Sequence, residues 1–181
     1  MSHRAWEEQN PTKSPKNVKE GAQPSNVESE KSTENILRYW IYAPGPNAKF
    51  WDECWAKSIM VYGADELLDL QTYESKNAIE EALKKELGLK GRPTNDALAA
   101  WNFSRVVKPG DIIIAKKGRK HYIGYGIVTG PYAYNKNRDT YRNSRTIEWK
   151  KKGEWIETGG PIVLKTLTDI TQYSDYGFKN K

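Results

Sequence analysis

The hydrophobic pattern separates a polar N-terminal stretch from the rest of the chain. Residues 1–34 show no apolar periodicity and combine Pro11, Pro15 and Pro24 with many Lys, Glu, Ser and Asn residues. A segment of this composition does not bury enough apolar surface to fold. We therefore predict a disordered tail over 1–34 and one folded domain over 35–181, which is long enough for a single core.

Strand-like and helical patterns alternate in the first half of the predicted domain. The predicted strands cover 37–42 and 58–62, and the predicted helices cover 48–57, 75–87 and 93–103. Ser75 is a residue type that caps helix N-termini, and Gly88 is one that ends helices. In the last of these helices, the apolar spacing places Leu98 and Trp101 on the inward face.

Strands joined by short turns fill the second half. We predict strands at 112–115, 121–128, 145–150 and 161–164, with a basic hairpin loop over 116–120. Gly124 and Gly126 alternate within one strand, which indicates a tight bend or a close backbone approach. Helices followed by strands favour an α+β fold, in which helices flank a twisted antiparallel sheet or small barrel.

The positive charge is confined to one segment. Residues 116–152 contain eleven Lys or Arg and two Asp or Glu residues, a net charge of +9 against +6 for the whole chain. The same segment contains six aromatic residues, Tyr122, Tyr125, Tyr132, Tyr134, Tyr141 and Trp149. Basic residues interleaved with aromatic ones suit a polyanion whose bases stack. A solvated surface with strand-forming tyrosines gives the same pattern, so composition leaves both interpretations open.

Motifs of several enzyme classes are missing from the sequence. It contains no P-loop, no G-x-S-x-G, no H-E-x-x-H and no deaminase-type zinc signature. Two histidines and one cysteine do not make a four-ligand zinc site. We predict no catalytic residues, no metal and no cofactor, and hence binding rather than catalysis. Without a membrane-length apolar run or a secretory signal, we expect a cytoplasmic protein.

A few reactive residue types need an interpretation. Cys54 lies in an amphipathic helical pattern and is predicted to be a buried small hydrophobe. Asp65, Glu66 and Asp69 suggest an acidic cluster, but a helix-start or loop role is favoured over catalysis. His121 is interpreted as a surface or phosphate-contacting histidine, with a general base as the alternative.

Several short motifs occur together in an order typical of one superfamily. They are Trp40-x-Tyr42-Ala43-Pro44-Gly45, Asp69-Leu70, Trp101-x-Phe103, Lys108-x-Gly110-Asp111-Ile112-Ile113, Gly124-x-Gly126-x-Val128 and Arg145-x-Ile147-x-Trp149. Over about residues 36–155 the chain resembles the EVE/YTH-like branch of the PUA-like superfamily. It is most similar to the N-terminal modified-DNA-reading domains of McrB-type restriction systems. The resemblance implies a small PUA-like β-barrel flanked by helices.

The resemblance also implies a reader that holds one flipped base in an aromatic pocket. The residues expected to contact the base are Tyr62, Gly63, Ala43, Tyr132, Tyr134 and Tyr141. Those expected to contact phosphate are Lys116, Lys117, Arg119, Lys120, Arg142 and Arg145. Tyr62 stands where the family commonly carries Trp, which gives a smaller wall with a hydroxyl, and Ser144 stands where relatives often have His.

The resemblance leaves the partner and polymer to be tested. It implies recognition of a modified, methylated base, with DNA favoured over RNA and a separate or fused NTPase or nuclease as a partner in restriction or defence. No membrane partner is expected. The alternatives are a reader of modified RNA, a small ASCH-type nuclease, and a protein-interaction module that uses the tail and the tyrosines.

Overall fold

A computed structural model describes residues 36–173. The predicted tail over 1–34 lies outside the described residues, as do residues 174–181. The strands are β1 (Tyr39–Tyr42), β2 (Ile59–Tyr62), β3 (Ile112–Lys117), β4 (His121–Tyr134), β5 (Asn143–Ile156) and β6 (Leu167–Asp169). The α-helices are α1 (Trp51–Lys57), α2 (Lys76–Glu86) and α3 (Thr94–Trp101), the last continued by a π-helical turn, Asn102–Val106.

The strands form one curled six-stranded sheet in the order β2-β5-β4-β3-β1-β6. Register shifts interrupt the β3–β4 and β4–β5 pairs, and such bulges bend and twist a sheet. The predicted α+β class is confirmed. One pair differs from the predicted antiparallel arrangement, because β1 and β3 are parallel. The helices connect these two strands, and a crossover of that length permits parallel pairing.

The second half differs from its prediction in strand length and position. β4 and β5 each have 14 residues, so both strands are longer than the sequence pattern indicated. The strand predicted at 161–164 does not form. The Ile162 N–H donates one backbone hydrogen bond to the Arg119 carbonyl, and this C-terminal segment pairs with β1 only in β6. The run Ile162-Val163-Leu164 is continuously apolar, and Ile162 is buried beside Ile41 and Ile114 without strand pairing, so an apolar run alone misplaced the strand.

The core lies between the sheet and the helices. Trp40, Phe103 and Cys54 are buried in it, which confirms the interpretation of the cysteine. Ser75 caps α2 as predicted, by accepting a bond from the Ala78 N–H (3.1 Å). Leu98 is 38% exposed rather than inward, because α3 presents small alanines to its neighbours. Among residues 36–173, no helix is both long and apolar enough to cross a bilayer.

The two strand glycines are sites of close approach, as predicted. A Cβ on Gly124 would stand 2.6 Å from the Lys151 carbonyl oxygen and 2.6 Å from the Trp51 ring. A Cβ on Gly126 would meet the Trp149 Cα at 2.9 Å. Both distances are far inside van der Waals contact, so the two strands and α1 pack closely only because these side chains are missing.

Gly124→Ala is expected to lower the free energy of unfolding by about 1–3 kcal/mol, because backbone and an indole ring would have to move. Gly91→Ala is the matched control. Its added Cβ meets nothing within 4 Å, so stability should change by less than about 0.5 kcal/mol. Equal stability of the two variants in urea denaturation would contradict the close packing at Gly124.

Candidate functional site

A cleft of about 280 Å³ opens where β1 ends. The residues that line it come from the turn after β1, the end of β3, the loop before β5 and the segment before β6: Ala43, Gly45, Pro46, Asn47, Ala48, Lys116, Gly118, Tyr141, Leu164 and Thr166. Three residues predicted from sequence, Ala43, Lys116 and Tyr141, therefore meet in one cleft.

Tyr141 provides the aromatic wall of this cleft. Its ring lies 4.2 Å from the Phe50 ring, centroid to centroid, and packs over Gly63, where a Cβ would stand 3.5 Å from it. Partial burial, and then the nearby Asp65 carboxylate, raise the pKa of the Tyr141 phenol. The phenol is therefore neutral at physiological pH and suits stacking and hydrogen bonding.

The loop that carries Tyr141 is fixed by two carboxylates. Asp65 accepts hydrogen bonds from the backbone N–H groups of Tyr141 (2.7 Å) and Arg142 (2.9 Å). Arg138 binds Glu53 of α1 through both terminal nitrogens (2.5 and 3.1 Å), and its Nε donates to the Tyr141 carbonyl (3.1 Å). Bidentate pairing restricts geometry more than a single contact does, so the ring has a fixed support.

The pH dependence of the stability of the Glu53→Gln variant tests this support. Hydrogen bonds from Arg138 and then Lys57 lower the pKa of Glu53 from 4.5 to about 2. A carboxyl group whose pKa is lower in the folded than in the unfolded state stabilises the fold at pH values above the unfolded-state pKa. This contribution is lost as the pH falls toward the folded-state pKa. The stability difference between wild type and Glu53→Gln should be constant above roughly pH 5 and shrink toward pH 2. A difference independent of pH in denaturation experiments would contradict the ion pair.

Backbone strain occurs in the walls of the cleft, as it does at three other non-glycine residues of the described range. Asn47 (φ 50°), Ala48 (φ 58°) and Tyr141 (φ 54°) all have left-handed conformations that non-glycine residues rarely adopt. Such conformations cost about 1–3 kcal/mol each and cluster at binding sites. The strain is therefore compatible with a functional interpretation of this cleft.

Lys116 and Ala43 line the cleft but have partners of their own. The Lys116 ammonium donates to the carbonyls of Gly118 (3.3 Å) and Leu164 (3.4 Å), and burial lowers its pKa. It belongs to β3 rather than to the predicted hairpin loop. The Ala43 N–H donates to Thr166 and its carbonyl accepts from Gly45 (both 2.8 Å), so its N–H is not free for the predicted contact with a base edge.

Exposed cations lie beside the cleft at the β3–β4 hairpin. Lys117, Arg119 and Lys120 are all exposed, and the turn between the strands depends on Gly118 at φ 62°. Their predicted phosphate contacts stay a prediction, and their positions are compatible with it.

Tyr62 and Tyr132 are packed into the core instead of facing a pocket. Tyr62 is 6% exposed, stacks on Phe103 (5.1 Å, 25°) and donates to the Asp96 carbonyl (3.4 Å). The Tyr132 hydroxyl accepts from the Leu70 N–H (2.9 Å) and donates to Asn143 Oδ1 (2.6 Å). Neither ring offers a face to a base in this conformation, because Phe103 and its neighbours already occupy the space.

Arg145 also departs from its predicted role. It is buried, with bonds to the carbonyls of Phe103 (2.8 Å), Ser104 (3.2 Å) and Gly130 (3.4 Å). Desolvation lowers the pKa of its guanidinium to about 10. A side chain enclosed in this way does not reach a phosphate, so the structure assigns Arg145 to the core.

The remaining predicted residues lie around the Tyr141 loop. Arg142 is half-buried, and its Nε donates to the Arg138 carbonyl (2.8 Å). Tyr134 is half-buried at the end of β4, opposite Asn143. The carbonyl of Gly63 accepts from the Asn143 amide (2.7 Å), and its small size leaves room for the Tyr141 ring.

Sequence reasoning missed the residues that hold the aromatic wall. Phe50, Glu53, Arg138 and Asn143 support the wall through contacts that include partners distant in sequence. Asp65 was foreseen as a loop residue and fills that role. His121 lies on the surface with its Nε2 3.7 Å from Glu154, and no cluster of three metal-ligating side chains occurs within residues 36–173.

Fold and site together define a small α+β domain with an aromatic-walled cleft beside a basic hairpin. Residues 40–174 match the family described as Domain of unknown function (DUF8426), and the chain belongs to that family. No curated protein matches the chain. Among solved structures it is similar to "YTH domain-containing protein mmi1 and RNA complex", at 13% identity and a TM-score of 0.35. That match covers 75% of this chain and 77% of the other. Closeness to McrB-type domains stays a prediction.

Proposed function

We propose that this protein is a nucleic-acid-binding module that holds one base against Tyr141 in the cleft at the end of β1. The observation that carries the proposal is the placement of that ring in a cleft directly beside the exposed cations of the β3–β4 hairpin. An aromatic platform next to a row of cations is the arrangement that single-stranded nucleic acid requires.

The cleft has the size and lining for a single base. Its 280 Å³ falls just below the roughly 300–1,000 Å³ of sites for drug-sized ligands, and a nucleobase is smaller than such ligands. Stacking on an aromatic ring contributes about 1–3 kcal/mol per base. This is comparable to the few kcal/mol lost when a base leaves the duplex stack.

The finer part of the proposal concerns the base and the polymer. Ala43, Pro46 and Leu164 give the cleft apolar surface, and a buried methyl-sized group contributes about 0.8 kcal/mol. We therefore propose a methylated base, and on the strength of the sequence resemblance we propose DNA in preference to RNA, recognised by binding without catalysis. A role beside a restriction or defence NTPase or nuclease in the cytoplasm belongs to the same proposal, on the strength of the sequence resemblance.

Fluorescence anisotropy with matched oligonucleotides tests the proposal. The probes are single- and double-stranded DNA and RNA of one sequence, each with and without N6-methyladenine or 5-methylcytosine. We expect a methylated DNA probe to bind about fourfold more tightly than its plain counterpart, from one buried methyl group.

The same panel separates the alternatives. A preference for methylated RNA would identify an RNA reader, and equal affinity for plain and methylated strands would remove base-modification reading. No binding to any strand would overturn the proposal as a whole. Cleavage of a probe that is lost on His121→Ala would establish a nuclease instead.

Lys117→Ala is expected to weaken binding to every probe and to lower the slope of log K against log salt by about one. The reason is that an exposed cation contacts phosphate, which carries no sequence information. Lys90→Ala, at an exposed lysine between α2 and α3, is the control and should leave both quantities unchanged. An unchanged salt slope for Lys117→Ala would exclude the hairpin from the interface.

A further inference from the structure

A second cleft, of about 240 Å³, adjoins the first. Asn47 and Ala48 line both clefts, so the strained turn at these two residues separates them. The neighbouring residues Lys116 and Lys117 are divided between the clefts in the same way. Two recesses that share a wall are placed to receive two consecutive units of one polymer.

The floor of the second cleft is apolar. Trp51 and Ile123 both line it, and the Trp51 ring lies against the backbone at Gly124, where a Cβ would stand 2.6 Å away. An apolar floor suits a nucleobase more than it suits a phosphate group.

The rim of the second cleft carries balanced charges. Lys117 and Lys152 provide two cations, and Asp52 and Glu154 provide two carboxylates, with Lys152 2.7 Å from Asp52. The formal charge of these four side chains is zero, although Lys117 also belongs to the exposed cations of the hairpin. The rim therefore offers hydrogen-bond donors and acceptors to a neutral polar ring.

We propose that the second cleft holds the nucleobase adjacent to the one that stacks on Tyr141, and that Asp52 and Glu154 accept hydrogen bonds from its exocyclic amine. This inference rests on the proposed function. Cytosine, adenine and guanine carry such an amine, whereas thymine and uracil do not, and carboxylates are the side chains that accept from it. The protein then prefers an amine-bearing neighbour to thymine.

The test uses fluorescein-labelled single-stranded DNA in which one N6-methyladenine or 5-methylcytosine lies among thymidines. One neighbour of the modified base, on either side, is changed from thymine to cytosine. We expect the cytosine probe to bind about fivefold more tightly, the lower end of one specific base contact, because both carboxylates are exposed.

The double variant Asp52→Ala with Glu154→Ala should bind both probes with equal affinity. Removal of two negative charges also strengthens binding to all DNA, so the readout is the ratio of the two affinities, which a general electrostatic effect leaves unchanged. Glu148→Ala is the matched control, since this glutamate lies on the same strand with a side chain 60% exposed against 62% for Glu154. It should keep the fivefold ratio.

The outcomes separate this inference from the function on which it rests. Binding that depends on Tyr141 but is equal for all neighbours would overturn the second-base site and leave the proposed function intact. A cytosine preference that survives in the double variant would also overturn it. Absence of binding to any probe would overturn both.

Discussion

Tyr141→Ala should weaken binding of the preferred oligonucleotide roughly 5- to 150-fold, which corresponds to the 1–3 kcal/mol of one stacked base. The ring is the aromatic wall of the β1 cleft, and Phe50 and Gly63 hold it in place. Alanine keeps the backbone N–H that bonds to Asp65, so the loop retains one of its supports. Anisotropy titration against the wild type measures the change.

Two further variants make this result specific. Tyr141→Phe keeps the ring and should bind within about twofold of wild type, since stacking needs no hydroxyl. Tyr125→Ala removes a tyrosine that is 41% exposed on β4 and outside the cleft, and it should bind as wild type does. If a folded Tyr141→Ala protein bound with unchanged affinity, the cleft would not be the base site.

Arg145→Ala should lower the free energy of unfolding by about 3–5 kcal/mol, the effect of removing one partner from a buried charged network. The carbonyls of Phe103, Ser104 and Gly130 would lose their donor. The buried Asp111 carboxylate would also lose a nearby positive charge. For a domain of this size the melting temperature should fall by roughly 10–15 °C.

Arg119→Ala is the opposite case and serves as the control. Arg119 is exposed on the hairpin, so its loss should change stability by less than about 0.5 kcal/mol while weakening binding. If Arg145→Ala does not fold, Arg145→Lys keeps the charge but not the planar fork, and it should fall between wild type and alanine. Wild-type stability of either Arg145 variant would return this residue to the list of phosphate contacts.

Local patterns were sufficient for most of the elements in residues 36–173. Helix α2 follows from its Ser75 cap and apolar stripe, and β1 to β3 follow from short β-branched and aromatic runs. The close approach at Gly124 and Gly126 also follows from residue type and position. These features depend on neighbours a few residues away, which a sequence displays directly.

The site was only partly predictable, because its contacts are not between near neighbours in the sequence. The basic segment and Tyr141 were visible as composition, but composition does not tell a wall of a cleft from a member of the core. Tyr62, Tyr132 and Arg145 have residue types that suit a nucleic-acid site, yet all three are buried around Phe103 or its carbonyl.

The sequence by itself determined the α+β class, the order of most elements and the segment that carries the positive charge. The tertiary structure alone decided which aromatic rings line a cleft and which are packed into the core. Arg138 reaches Glu53, and Asp65 reaches the Tyr141 loop, across many residues of chain. Such contacts form only when the sheet curls and brings the ends of β1, β2 and β5 together, and no local pattern encodes that distance.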